Sequence, residues 1–211
     1  MAVADVYDLV TRGKAKLVPG AVQEAIDEGC DPEDILNNGM IAAMDDVGVK
    51  FKDGEIFVPE MLIAAKAMKK GVEVLKPHLA TGAAGAAGKI IIGTVAGDLH
   101  DIGKNLVAMM MESAGFEVID LGVDVPKEKF VETYNENPDT CIIACSALLT
   151  TTMPSLKETV ALINEQDFRS KIKVMVGGAP ITQAFADEIG ADAYTEDAAS
   201  AAQKAKELAA A

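Results

Sequence analysis

The chain has 211 residues, half of them hydrophobic, and its 33 acidic against 19 basic side chains give a formal net charge of −14. That length admits one large domain or two small ones with packed cores. The acidic excess would repel a phosphate backbone, and no Lys/Arg stripe is present to release counterions, which argues against nucleic acid as a partner.

At the amino end, Met1-Ala2-Val3-Ala4-Asp5 lacks a basic region followed by an apolar one, and no later apolar run approaches the roughly 20 residues needed to cross a bilayer. A cytoplasmic protein with no membrane partner is expected. A short helix is predicted near Val6 to Thr11, and Pro19 can open a second that Gly29 closes. Asp31-Pro32 supplies an N-cap and a first-turn proline for a third, with Ile35, Leu36, Met40, Met44 and Val47 inward. Pro59 opens the fourth, in which Met61, Ala65, Met68, Val72, Leu75 and Leu79 alternate steps of four and three and make one apolar stripe. Residues 1–81 therefore read as a helical bundle. Residues 82–88, Gly82-Ala83-Ala84-Gly85-Ala86-Ala87-Gly88, have little to bury and much backbone freedom, and read as a flexible linker and hinge.

The period then changes. Apolar runs at Ile90 to Val95, Val118 to Leu121, Cys141 to Ala144, Val174 to Val176 and Ala191 to Tyr194 are predicted strands. A helix runs from about Lys104 to Ser113, and others open near Pro126, Pro154 and Pro180. Strands alternating with helices mean right-handed crossovers and a parallel sheet covered on both faces. The fold class is thus α + α/β: a four-helix bundle, then a flavodoxin-like (Rossmann-like) five-stranded domain over residues 89–211. Its expected strand order is 2-1-3-4-5, with the switch point between strands one and three. Cys30, Cys141 and Cys145 read as reduced thiols rather than a disulfide framework or metal site.

Three segments carry chemistry. Gly97-Asp98-Leu99-His100-Asp101-Ile102-Gly103 follows the first strand, Ser146-Ala147-Leu148 ends the third, and Gly177-Gly178-Ala179 ends the fourth. Asp98, two residues before His100, can accept a hydrogen bond from one ring nitrogen, fixing the tautomer and leaving the other nitrogen for a metal. Gly103, Gly177 and Gly178 lack a Cβ, so a bulky group could slide between the segments that carry them.

With these three segments the chain resembles the cobalamin-binding domain family, whose Asp-x-His-x-x-Gly, Ser-x-Leu and Gly-Gly pattern is met at every position. The resemblance implies cobalamin or a related corrinoid as cofactor, with His100 as the metal ligand to cobalt and the benzimidazole tail entering the glycine-walled slot. It implies that Ser146 hydrogen-bonds that base and that Thr150 touches the nucleotide loop. A hydroxyl completing the ligand network is assigned to Thr152, with Ser155 nearby. Gly97, Leu99, Asp101, Ile102, Leu148 and Ala179 complete the implied cofactor contacts.

Gly54-Glu55-Ile56-Phe57-Val58-Pro59-Glu60, with Ala67-Met68 and Leu75-Lys76-Pro77 beyond it, is similar to the cap domain of methionine synthase and of small corrinoid proteins of methylotrophic microbes. By that likeness Phe57, Met61, Leu62 and Ala65 would touch the upper face of the corrin. The implied function is a methyl carrier, non-catalytic alone. Cobalt(I) accepts a methyl group from a substrate-specific methyltransferase, and methyl-cobalt(III) passes it to a second one acting on a thiol or tetrahydrofolate. A reductive activating protein is a further implied partner. Methylamines or quaternary amines are the first expectation for the donor, with methanol or aryl-ether demethylation as alternatives. A mutase small subunit or a corrinoid sensor would be readings of a different class.

Overall fold

The computed structural model describes residues 2–78 and 87–210, with nothing said of the Lys52 and Lys76 side chains. Residues 82–86 of the expected linker and Leu79 of the expected stripe lie outside the described residues. The chain divides near residue 86 into two compact units.

The first unit is helical: α1 (Ala2–Thr11), α2 (Val18–Asp27), a run over residues 32–52, and α5 (Val58–Leu75). The run begins as α3 (Pro32–Asp34), where the Asp31 side chain accepts from the Glu33 N–H at 3.0 Å. It then widens into a π-helical stretch, Ile35–Ile41, before α4 (Ala42–Lys52). The apolar period predicts one uninterrupted α-helix here, because Ile35, Leu36, Met40, Met44 and Val47 are buried in either geometry. Pro59 sits one residue inside α5, and the Glu60 carboxylate accepts from the Phe57 N–H at 2.8 Å, a capping-box arrangement.

Met61, Ala65, Met68 and Leu75 are buried as the stripe predicts, whereas Val72 is only half-buried. Ala64, Ala67 and Gly71 widen the contact. A Cβ on Gly71 would lie 2.6 Å from the Met40 sulfur and 2.8 Å from Val18 Cγ1, so this glycine lets α5 close on its neighbours. Burying each large side chain of this core contributes roughly 1.5–3 kcal/mol.

The second unit holds a parallel sheet in the order β2-β1-β3-β4-β5. Its strands are β1 (Lys89–Thr94), β2 (Glu117–Asp120), β3 (Thr140–Ser146), β4 (Lys173–Gly177) and the short β5 (Ala193–Tyr194). The crossover helices are α6 (Ile102–Ser113), α7 (Lys127–Glu136), α8 (Met153–Asn164) and α9 (Gln183–Ile189). Ile91, Ile143, Val174 and Val176 from the strands pack with Phe130, Leu156, Val160 and Ile163 from the helices. The fold is therefore a helical region followed by a doubly wound five-stranded domain.

Three local readings change. Helix α6 starts at Ile102, which moves Ile102 and Gly103 from a loop into a helical first turn. Helix α9 is opened not at Pro180 but at Thr182, whose hydroxyl accepts from the Phe185 N–H at 3.2 Å. Proline presets φ, but the orphan N–H groups of a helix start need an acceptor. A last helix, α10 (Ala198–Ala209), has no counterpart in the reading above: it buries Ala198, Ala201, Ala202 and Ala205, side chains too small to stand out as an apolar stripe. Among the described residues no helix is long and apolar enough to cross a membrane.

Candidate functional site

One rung of the sheet organises the site. Thr94 of β1 pairs with Ser146 of β3, and Ser146 with Gly177 of β4. The ladder runs one step further, the Val95 N–H donating to the Ser146 carbonyl at 3.0 Å and the Ala147 N–H to the Gly177 carbonyl at 3.1 Å. The three chemistry-bearing segments thus leave the sheet together at the carboxyl ends of its central strands, beside the switch point, where ligands bind in open α/β folds.

Asp98 is completely buried there. Its Oδ1 accepts from the His100 backbone N–H at 3.1 Å and lies 2.7 Å from His100 Nδ1. Its Oδ2 accepts from the Leu148 N–H and the Thr152 hydroxyl, both at 2.7 Å, and more weakly from the Leu149 N–H at 3.3 Å. Burial opposes ionisation, but the Leu148 N–H, the Thr152 hydroxyl and both His100 donors outweigh it and hold the carboxyl well below the usual carboxylate range. An ionised carboxylate only accepts, so Nδ1 carries the proton, and in the neutral ring Nε2 is then the nitrogen with the lone pair. The ring is half exposed, free to offer that nitrogen outward.

Of the two hydroxyls offered by the sequence, that of Thr152 reaches Asp98, while the Ser155 carbonyl accepts from Thr159 within α8. Two further residues, absent from the sequence reading, hold the same loop. The buried Thr94 hydroxyl donates to the His100 carbonyl at 3.0 Å. Asp124 donates its N–H to the Asp98 carbonyl at 2.9 Å and accepts from the Gly97 N–H at 2.7 Å. A hydroxyl closing an apolar strand and an aspartate in a turn after the edge strand were their only signals. Lys104, buried at the start of α6, donates to Asp120 at 2.5 Å and to Asn105 at 2.7 Å. Asn105 in turn donates to the exposed Asp101 at 3.1 Å.

The glycines divide. A Cβ on Gly103 or Gly177 would meet nothing within 4 Å, which leaves the space in front of each open. Gly178 differs from expectation: at φ +130° its Cβ would stand 1.8 Å from the Ala147 carbonyl oxygen, so the missing side chain makes room for the protein's own backbone. Around His100 the same connections expose Leu99 (71%) and Ile102 (85%), with Leu148 and Leu149 also exposed. These exposed apolar side chains are candidates for contact with a flat apolar ligand. Ser146 is half-buried, and Gly97, Thr150 and Ala179 are exposed.

In the helical unit Phe57 is exposed and Leu62 half-buried, whereas Met61 and Ala65 are closed into the bundle core by their place on the α5 stripe. A contact from Met61 or Ala65 to an outside group is therefore not what this structure offers; Phe57 and Leu62 are the candidates at the surface. The three cysteines are free. Burial pushes the Cys145 and Cys141 thiols up, keeping both protonated.

A lone imidazole suits a metal that arrives with its other ligands. Among the described residues no cluster of three or more His, Cys, Asp or Glu side chains could hold an ion by itself. A half-exposed ligand with a fixed tautomer, an apolar floor and open space before two glycines fit a corrinoid, whose flat ring brings the cobalt and whose side arm needs room. Fold and site define a B12-binding domain.

Known proteins agree. The B12 binding domain family matches residues 88–203, and a second B12 binding domain family matches residues 2–76. The chain is 48% identical over 204 residues to dimethylamine corrinoid protein 3 of Methanosarcina acetivorans, covering 97% of this chain and 95% of that protein. Trimethylamine corrinoid protein 2 of the same organism is 45% identical over 207 residues, covering 97% and 94%. The methanol:cobalamin methyltransferase complex MtaBC of Methanosarcina barkeri contains a chain that matches with a TM-score of 0.85 at 30% identity, covering 99% of this chain and 80% of that one. This chain belongs to the B12-binding corrinoid protein family, and its cofactor is a corrinoid.

Proposed function

We propose that the chain carries methyl groups, on its bound corrinoid, from a methylamine-specific methyltransferase to a second methyltransferase acting on a thiol or tetrahydrofolate. The observation that carries this reading is the pairing of the buried Asp98 carboxylate with the half-exposed His100 ring at the switch point. Kinship with dimethylamine and trimethylamine corrinoid proteins supports an amine as the source. The likeness to a chain of the methanol complex favours methanol as a second reading, at a lower identity. That complex also supports the first methyltransferase as a partner, while a reductive activating protein and a cytoplasmic setting complete the proposal.

When bound, the corrinoid supplies a cobalt ion that takes up and gives away a methyl group. The protein's own residues do the rest. His100 would hold the cobalt through Nε2, while Asp98 keeps the proton on Nδ1 and so fixes the orientation of the ring. Thr152 and the Leu148 N–H keep the carboxylate aimed. The open space before Gly103 and Gly177 receives the nucleotide arm, with Ser146, Thr150, Gly97, Asp101 and Ala179 as candidate contacts. Leu99, Ile102 and Leu148 are candidate apolar contacts for the corrin.

The purified chain, reconstituted with hydroxocobalamin and a reductant, should take label from carbon-labelled dimethylamine in the presence of its methyltransferase. Failure to bind the cobamide would refute the reading; binding without methylation from any methylated amine would remove the amine.

A further inference from the structure

Asp124 sits in the connection between β2 and α7, and it is the one non-glycine residue with a positive φ among the described residues, at +53°. Most side chains avoid that region because Cβ crowds the following carbonyl, and aspartate is one of the few that enters it as a single residue. What holds Asp124 is the His100 loop. Its N–H donates to the Asp98 carbonyl at 2.9 Å, and its Oδ1 accepts from the Gly97 N–H at 2.7 Å. The connection is itself anchored to β1, the Thr94 N–H donating to the Gly122 carbonyl and the Val125 N–H to the Thr94 carbonyl, both at 3.0 Å. Just before Asp98 stands Gly97 at φ +82°, a joint that a glycine leaves free to turn. The Asp98 carboxylate is gripped from the β3 side by Leu148 and Thr152; its main-chain N–H donates to the Val95 carbonyl at 3.1 Å, and its carbonyl accepts from Asp124 on the β2 side.

We propose that Asp124 is a positioning residue for the cobalt ligand: by clasping the Gly97 N–H and the Asp98 carbonyl it fixes where Asp98 presents Oδ1, and so how firmly His100 binds the corrinoid metal. This rests on the corrinoid reading above. Residues that orient a metal ligand from behind typically change metal affinity by about 10–100-fold. Loss of the Asp124 acceptor is expected to weaken histidine ligation within that range.

Glycine and asparagine at this position separate the possibilities. Asp124→Gly keeps the backbone N–H and tolerates the positive φ but removes the acceptor. Asp124→Asn tolerates φ and keeps an oxygen for the Gly97 N–H. Wild type and both variants, with heavy-nitrogen-labelled histidine, are loaded with hydroxocobalamin, reduced by one electron and read by electron paramagnetic resonance. A doublet splitting reports histidine on cobalt, and a triplet reports the cofactor's own unlabelled base. Hydroxocobalamin affinity and thermal midpoints are measured on the same samples. Expected are a doublet for wild type and Asn, and for Gly a mixed or triplet signal with affinity about ten-fold lower at a near-unchanged melting midpoint. A Gly variant with full doublet and unchanged affinity overturns the proposal, as does an Asn variant that fails like Gly. A Gly variant that melts far below wild type assigns Asp124 to fold stability and also overturns it. Wild type that binds no hydroxocobalamin would instead overturn the corrinoid reading itself.

Discussion

Asp98, with no exposed surface, holds its Oδ1 2.7 Å from the Nδ1 of His100, whose ring is half exposed. The pair spans the boundary of the domain. An acceptor locked inside aims a half-exposed donor, so ligand orientation is decided by buried geometry rather than by a mobile surface chain.

Asp98→Asn should uncouple this arrangement. Whichever way the amide turns, its NH2 meets a donor, either the His100 N–H groups or the Leu148 N–H with the Thr152 hydroxyl. The unmatched donors should cost about 1–3 kcal/mol of stability, and hydroxocobalamin affinity should fall roughly 10–100-fold. Urea denaturation and spectral titration measure the two; an Asn variant equal to wild type in both would contradict the assigned network.

Thr152 tests the same carboxylate from its other oxygen. Thr152→Val keeps the shape and removes the hydroxyl, and should cost about 1 kcal/mol by chemical denaturation. Thr152→Ser should recover most of that loss, since the hydroxyl is what Asp98 receives. Equal effects of Val and Ser would assign the loss to packing.

The glycines should respond in opposite ways. Gly178→Ala drives a methyl group into the Ala147 carbonyl at a positive φ, and should destabilise the protein by more than about 3 kcal/mol. Gly103→Ala meets open space inside a helix and should stabilise the cofactor-free protein by up to about 1 kcal/mol. Both Gly103→Ala and Gly177→Ala should bind hydroxocobalamin more weakly, because they place an atom where the nucleotide arm is proposed to lie. Undiminished binding by both would empty the proposed slot.

Acid should erase the Asp98 contribution. Its folded-state value lies well below the ordinary carboxylate value of about 3.9. The stabilisation is therefore complete above that value and is lost as pH falls below it towards the depressed one. The stability gap between wild type and Asp98→Asn, measured by denaturation at about pH 7 and again near pH 3, should narrow in acid; a gap independent of pH would show that ionisation of Asp98 is not what the fold uses.

Much of this was readable in the residues because local and long-range signals agreed. Alternating apolar runs and proline-opened helices allow few topologies once crossovers are right-handed, and the strand order followed. Asp98 and His100 stood out by their spacing, whereas Thr152 came only from the family resemblance, with Ser155 left open beside it. Thr94 and Asp124 did not stand out, because they act on main-chain atoms of a loop whose path only tertiary contacts define. The π-helical stretch was hidden because one extra residue per turn leaves Ile35 and Met40 buried. Gly178 was misread for a related reason, since a glycine that admits a ligand and one that admits a neighbouring carbonyl look alike as letters.

The rung that joins Thr94, Ser146 and Gly177 works as a caliper. Side chains alternate between faces along a strand, so inserting or deleting one residue in β3 would turn Ser146 to the opposite face and carry the Leu148 N–H away from Asp98. A graft of this pocket onto another scaffold must therefore transplant three strand endings in step.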